Sequence, residues 1–198
     1  MAFSGWPTVA LEFYEGLEAD NSKAYWTSHK AVYQEQVLRP MEELLDELTP
    51  EFGPAKIFRP YRDIRFSNDK TPYKTHIGAT VGGTGYVQFS ADGMSAGTGM
   101  WHLEPDELVK YRAAVAGPDG AELAAIVTGL ERDGVEIHGH GSLKSAPRGY
   151  PSDHLRIELL RPLNPSPALC TPAAAGNVVE LFRTSTAFCD WLNSHVDR

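Results

Sequence analysis

The chain has 198 residues, 42% of them hydrophobic and 22% charged, which is the make-up of a globular protein of one domain with a sizeable core. Its formal charge of −8 argues against non-specific nucleic-acid binding and against an anionic membrane surface. No apolar run approaches the roughly 20 residues a membrane helix needs, and the N-terminal stretch, interrupted by Glu12 and Glu15, does not read as a signal peptide. Cys170 and Cys189 have no metal or redox spacing and read as reduced thiols of a cytoplasmic protein.

In chain order, Leu11, Phe13, Tyr14 and Leu17 recur at near-helical spacing after Pro7 and predict a helix over 8–17. Asp20 and Asn21 offer N-caps for a second helix. Its inward stripe runs through Tyr25, Trp26, His29, Val32, Tyr33, Gln36 and Val37. Pro40 must kink that helix or begin a new one. Met41, Leu44, Leu45 and Leu48 continue the apolar face until Pro50, Gly53 and Pro54 end it. From Lys56 the texture becomes extended. Residues 57–66 read as a strand with Phe58, Arg62, Ile64 and Phe66 on one face and Arg59, Tyr61, Asp63 and Arg65 on the other. After a turn-rich loop, three short strands follow, with Asp92-Gly93 as a hairpin signal.

Helices over roughly 104–117 and 118–134 come next, the first opened by Pro105 and the second closed by Gly134. Residues 135–165 are loop-rich, and two helices around 172–183 and 185–195 complete the chain. Helices, then an antiparallel sheet, then helices is an α+β pattern.

The segment 56–76 stands apart. It holds six cations and two acids, a charge of +4, while the remaining 12 cations and 24 acids carry −12. Two readings are open. In one, guanidinium and ammonium groups converge on a phosphate or carboxylate, with tyrosines as polar lining. In the other, Arg62, Arg65, Asp63 and Asp69 satisfy one another as a structural clasp.

"RPYRDIRFSNDKTPYKTHIGA", "LEADNSKAYWTSHKAVYQEQVLRP", "GTGMWHLEPDELVKYRAAVA" and "LKSAPRGYPSDHLRIELLRP" together resemble the family catalogued as domain of unknown function 2461. The chain departs from that pattern at Tyr25-Trp26, where the family has Trp-Phe, and at Leu155, where it often has Pro. The resemblance covers nearly the whole chain and implies a single domain over 1–198, with no reaction, substrate or cofactor attached. Carried over residue by residue, it implies polar positions at Arg59, Arg62, Asp63, Arg65, Asp69, Lys70, Tyr73, Lys74, Arg112, Lys144, Arg148, Tyr150, Asp153 and His154. Their cation excess favours a small anionic ligand held by Arg59, Arg62, Arg65, Lys70, Tyr73 and Lys74, with Lys144 and Arg148 closing from the later loop. The alternative is a module that docks an acidic partner.

Other chemistry is more weakly signalled. Asp63 and His154 are the candidate acid–base groups. Glu136, His138 and His140 alternate as metal ligands would on a strand. The glycines at 82–85 and 97–99 do not make a dinucleotide fingerprint, and nothing calls for a cofactor.

Overall fold

A computed structural model describes residues 3–65, 68–100, 102–139, 143–162, 165–170 and 175–196. The fold is α+β, as the pattern predicts, and divides into two compact units. The first takes residues 1–96 and 170–179, the second 97–169 and 180–198.

The first unit opens with α1 (Thr8–Ala19), which buries Ala10, Phe13, Tyr14 and Leu17. The helix α2 (Lys23–Val32) is capped by Ser22, whose hydroxyl accepts the Tyr25 N–H at 3.1 Å. Asn21 is therefore released from the capping role the sequence suggests. A π-helical stretch, Tyr33–Leu38, joins α2 to α3 (Arg39–Phe52). Pro40 stands in the first turn of α3 and brings no N–H to the ladder, a familiar cause of such widening. The Trp6 indole N–H takes up the Val37 carbonyl at 3.0 Å. Pro50 does not end α3 but lies in its last turn; the stop is Gly53, at φ 96°, where any side chain would be strained.

The strands β1 (Ala55–Ile57), β2 (His76–Val81), β3 (Gly85–Ser90) and β4 (Gly93–Thr98) follow one another across the sheet, with β1–β2 and β2–β3 antiparallel. Gly82 and Gly83, both at positive φ, make the β2–β3 turn. In β3 and β4 burial alternates strictly, so Val87, Phe89, Met94 and Ala96 face the core with Ile77, Ala79 and Val81 of β2.

In the second unit, α4 (Pro105–Ala116) opens with acids in its first turn, and the Glu104 N–H donates to Glu107 Oε2 at 2.7 Å. The helix α5 (Gly120–Arg132) is ended by Gly134 at φ 82°. The loop-rich 135–165 stretch contains β5 (Glu136–Gly139) and the single turn α6 (Ile157–Leu160). The sequence did not predict β6 (Pro165–Cys170), which pairs antiparallel with β5, because Pro165 and Pro167 argue against a strand. The helices α7 (Ala175–Thr184) and α8 (Thr186–His195) close the chain. Around Trp191, whose indole donates to the Asp119 carbonyl at 3.1 Å, lie Tyr111 and His195. No described helix is long and apolar enough to cross a membrane.

Candidate functional site

The cationic segment is a loop with a narrow neck. The predicted strand over 57–66 stops at Ile57, because Pro60 and Pro72 cannot donate to a continuous ladder. A two-sided fragment of ladder survives around the antiparallel bridge Tyr61–Tyr73. The Arg62 N–H donates to the Pro72 carbonyl at 2.9 Å and the Lys74 N–H to the Pro60 carbonyl at 2.8 Å. Further along, the Phe58 N–H reaches the Gly78 carbonyl at 2.9 Å.

Helix α2 and its approach hold this neck. The Asn21 amide takes both backbone groups of Tyr73: its Oδ1 accepts the N–H at 3.0 Å and its Nδ2 donates to the carbonyl at 3.1 Å. Trp26 stacks on the Tyr73 ring, centroids 4.5 Å apart and planes 9° from parallel. Both residues are buried. A well-stacked aromatic pair adds roughly 0.5–1.5 kcal/mol beyond its burial. Burial, then the nearby Tyr61, raises the Tyr73 phenol above its ordinary pKa.

At the loop tip two arginines are spent on acids. Arg62 Nη1 donates to Asp69 Oδ2 and to Thr71 Oγ1. Asp69 Oδ1 accepts the Thr71 N–H at 2.9 Å, a turn closed by an aspartate side chain. The hydrogen bond from Arg62, helped by Thr71, holds the Asp69 carboxyl down to about 2. Arg65 grips Asp63 with both ends of its fork, Nε to Oδ1 at 2.9 Å and Nη2 to Oδ2 at 2.6 Å, and holds that carboxyl below its ordinary range. Lys70 Nζ donates to the Ile64 carbonyl at 2.9 Å. Phe66 and Ser67 lie outside the described residues.

Arg59 and Lys74 are treated differently. Neither makes an ion pair with an acid among the described residues. Lys74 Nζ lies 5.2 Å from the centroid of the Phe58 ring. Burial, and then the like charge of Arg59, lower its pKa. His76, two residues on, is half-buried; burial and then Lys74 lower its pKa as well.

Lys74 and His76 line a cleft of about 440 Å³ within the first unit, together with Glu18, Asn21, Arg62, Asp69, Thr71, Tyr73 and Thr75. Of the residues singled out from sequence, Arg62, Asp69, Tyr73 and Lys74 reach this cleft. Arg59 is felt there through its charge. Sequence reading missed Glu18, Asn21 and His76. The period of two along an extended chain would have placed His76 beside Lys74. Asn21 and Glu18 come from distant elements and leave no local trace.

Lys144 and Arg148 belong to the second unit and are exposed. There Tyr150 influences Arg112, whose Nε donates to the Leu160 carbonyl at 3.0 Å and whose buried Nη2 has no hydrogen-bond partner among the described residues. Asp153 is exposed, and His154 Nδ1 accepts the Arg156 N–H at 3.0 Å, so that nitrogen closes a turn. Glu136 and His138 occupy β5, but their side chains, and all of His140, lie outside the described residues. Among the described residues no group of three side chains could hold a metal ion.

The family described as "Conserved hypothetical protein (DUF2461)" matches residues 9–165, a span that takes in the whole of this cleft. No curated protein and no solved structure matches the chain.

Proposed function

We propose that this chain, which belongs to the DUF2461 family, binds a small anionic ligand, phosphate- or carboxylate-bearing, in the cleft beside Lys74. One observation carries the reading. Lys74 is a half-buried ammonium that makes no ion pair among the described residues, feels the charge of Arg59 and opens on a cleft it shares with His76. Arg62 and Arg65 are answered by carboxylates and Lys70 by the Ile64 carbonyl, whereas Lys74 Nζ has only the Phe58 ring among the described residues. Burial lowers the pKa of Lys74 and of His76, and a neighbouring positive charge lowers each further. A bound anion would relieve both. The chain's charge of −8 favours a small ligand over nucleic acid, and two cysteines without metal or redox spacing fit a cytoplasmic setting.

Tyr61 favours a second reading. It is 49% exposed and sits between Arg59 and Arg62 in sequence, an arrangement that could dock an acidic peptide.

A thermal-shift series with phosphate, pyrophosphate, sugar phosphates and dicarboxylates tests the first reading. A ligand at about 100 times its dissociation constant stabilises the fold by ~2.7 kcal/mol. Lys74→Ala should abolish the response while changing ligand-free stability by less than about 0.5 kcal/mol. A wild-type protein that responds to none of these anions, but binds an Asp/Glu-rich peptide through Tyr61, would replace the first reading with the second.

A further inference from the structure

We infer that the ligand of this cleft is zwitterionic, carrying an ammonium group beside its phosphate or carboxylate, as amino acids and amino-alkyl phosphates do. The inference rests on the anion-binding reading above and deepens it.

The charges lining the cleft sort into one spent pair and two unspent groups. Arg62 and Asp69 are joined to each other. Lys74 and Glu18 line the same cleft, carry opposite charge, and do not meet in an ion pair. The cleft therefore offers one carboxylate and one ammonium that do not neutralise each other.

The backbone sharpens this polarity at both ends. Glu18 stands in the last turn of α1, where the helix dipole is already negative and where no basic residue is present to offset it. The negative pole of the cleft is thus a carboxylate reinforced by helix carbonyls. Lys74, for its part, has Arg59 for company, like charge on like. In the ligand-free protein, burial and the like charge of Arg59 act against the Lys74 ammonium. A purely anionic ligand would relieve only the Lys74 end and would bring further negative charge towards Glu18. A molecule with an ammonium at one end and an acidic group at the other relieves both. The Asn21 amide is already engaged by the Tyr73 backbone through both its nitrogen and its oxygen. The volume suits a metabolite-sized molecule.

The test uses matched probes titrated into the whole chain by calorimetry. Glycine, β-alanine, γ-aminobutyrate and phosphoethanolamine are compared with acetate, propionate, butyrate and ethyl phosphate, which lack the amine. At least one amino compound should bind about tenfold or more tightly than its amine-free match. Glu18→Gln should erase that preference and leave the amine-free affinity unchanged or improved. Lys74→Ala should weaken both members of each pair. Equal affinity within every pair, or a preference that survives Glu18→Gln, overturns the zwitterion and leaves the anion site standing. Binding by no member of either set, with phosphate and dicarboxylates equally inert, overturns the anion site as well.

Discussion

Arg156 in the second unit and Lys74 in the first are both half-buried cations, yet their surroundings answer them in opposite ways. Arg156 lies across the C-terminus of α4. Its Nε donates to the Val115 carbonyl at 2.7 Å and its Nη2 to the Ala116 and Gly117 carbonyls at 3.0 and 2.8 Å. Those are the oxygens a helix end leaves unpaired, and they form the negative pole of its dipole. The packing leaves no slack there: a Cβ at Gly120 would strike the Val115 carbonyl and the Arg156 guanidinium. Lys74 has a ring beneath it, like charge nearby and a cleft in front. A cation gripped by backbone carbonyls holds structure. A cation that the fold desolvates without answering is available to something else.

The largest effect should come from Arg156. Arg156→Ala removes three charge-assisted hydrogen bonds and takes this partner from the Val115 and Ala116 carbonyls, while Gly117 keeps the Gly120 N–H, so we expect a loss of about 3 kcal/mol in denaturant melts. Arg156→Lys should recover little, because an ammonium cannot reproduce the fork. The contrast with Lys74 breaks if Lys74→Ala costs as much.

Asn21 should come next. Asn21→Ala deprives the Tyr73 backbone of both partners, and we expect a loss of about 1–2 kcal/mol. Because Tyr73 is the neck of the loop, the same variant should also blunt the anion thermal shift although Lys74 is intact. A full response would show that the neck does not position the cleft.

The smallest effect belongs to the exposed tip. The Asp69 carboxyl is held at about 2 in the folded chain against 3.8 ordinarily. A depressed carboxyl stabilises the fold above its unfolded pKa, and that contribution fades as pH falls through the folded value. Urea melts of the wild type and Asp69→Asn should therefore differ at pH 5 and converge between about pH 4 and 2. The gap should shrink in high salt, since the pair is open to solvent. A gap that persists at pH 2 would mean that Asp69 acts through the Thr71 turn and not through Arg62.

Much of the fold was legible because it depends on local periodicity. The helical spacing of Phe13, Tyr14 and Leu17, the Asp92-Gly93 turn and the Gly134 stop need only near neighbours, and each appears where expected. The failures occur where a distant residue decides. Ser22 outbids Asn21 for the cap of α2 because Asn21 is wanted by Tyr73, 52 positions away. Pro165 and Pro167 stand in a strand because β5 offers it an edge to pair with.

The candidate site divides in the same way. Sequence by itself determined that a +4 segment lies in an acidic chain, since charge is a property of composition. It could not determine which cations are consumed. Arg62 pairs with Asp69 and Arg65 with Asp63, when the alternation of a strand would have put Asp63 and Arg65 on one face and Arg62 among apolar neighbours. Pairing within a loop depends on turn geometry, and turn geometry on the neck that Trp26 and Asn21 clamp. Nor could sequence bring Glu18 to the cleft that Lys74 faces, because the two are 56 positions apart and on elements of different period. Charge is written along the chain, but whether a charge is answered depends on distances that only folding sets.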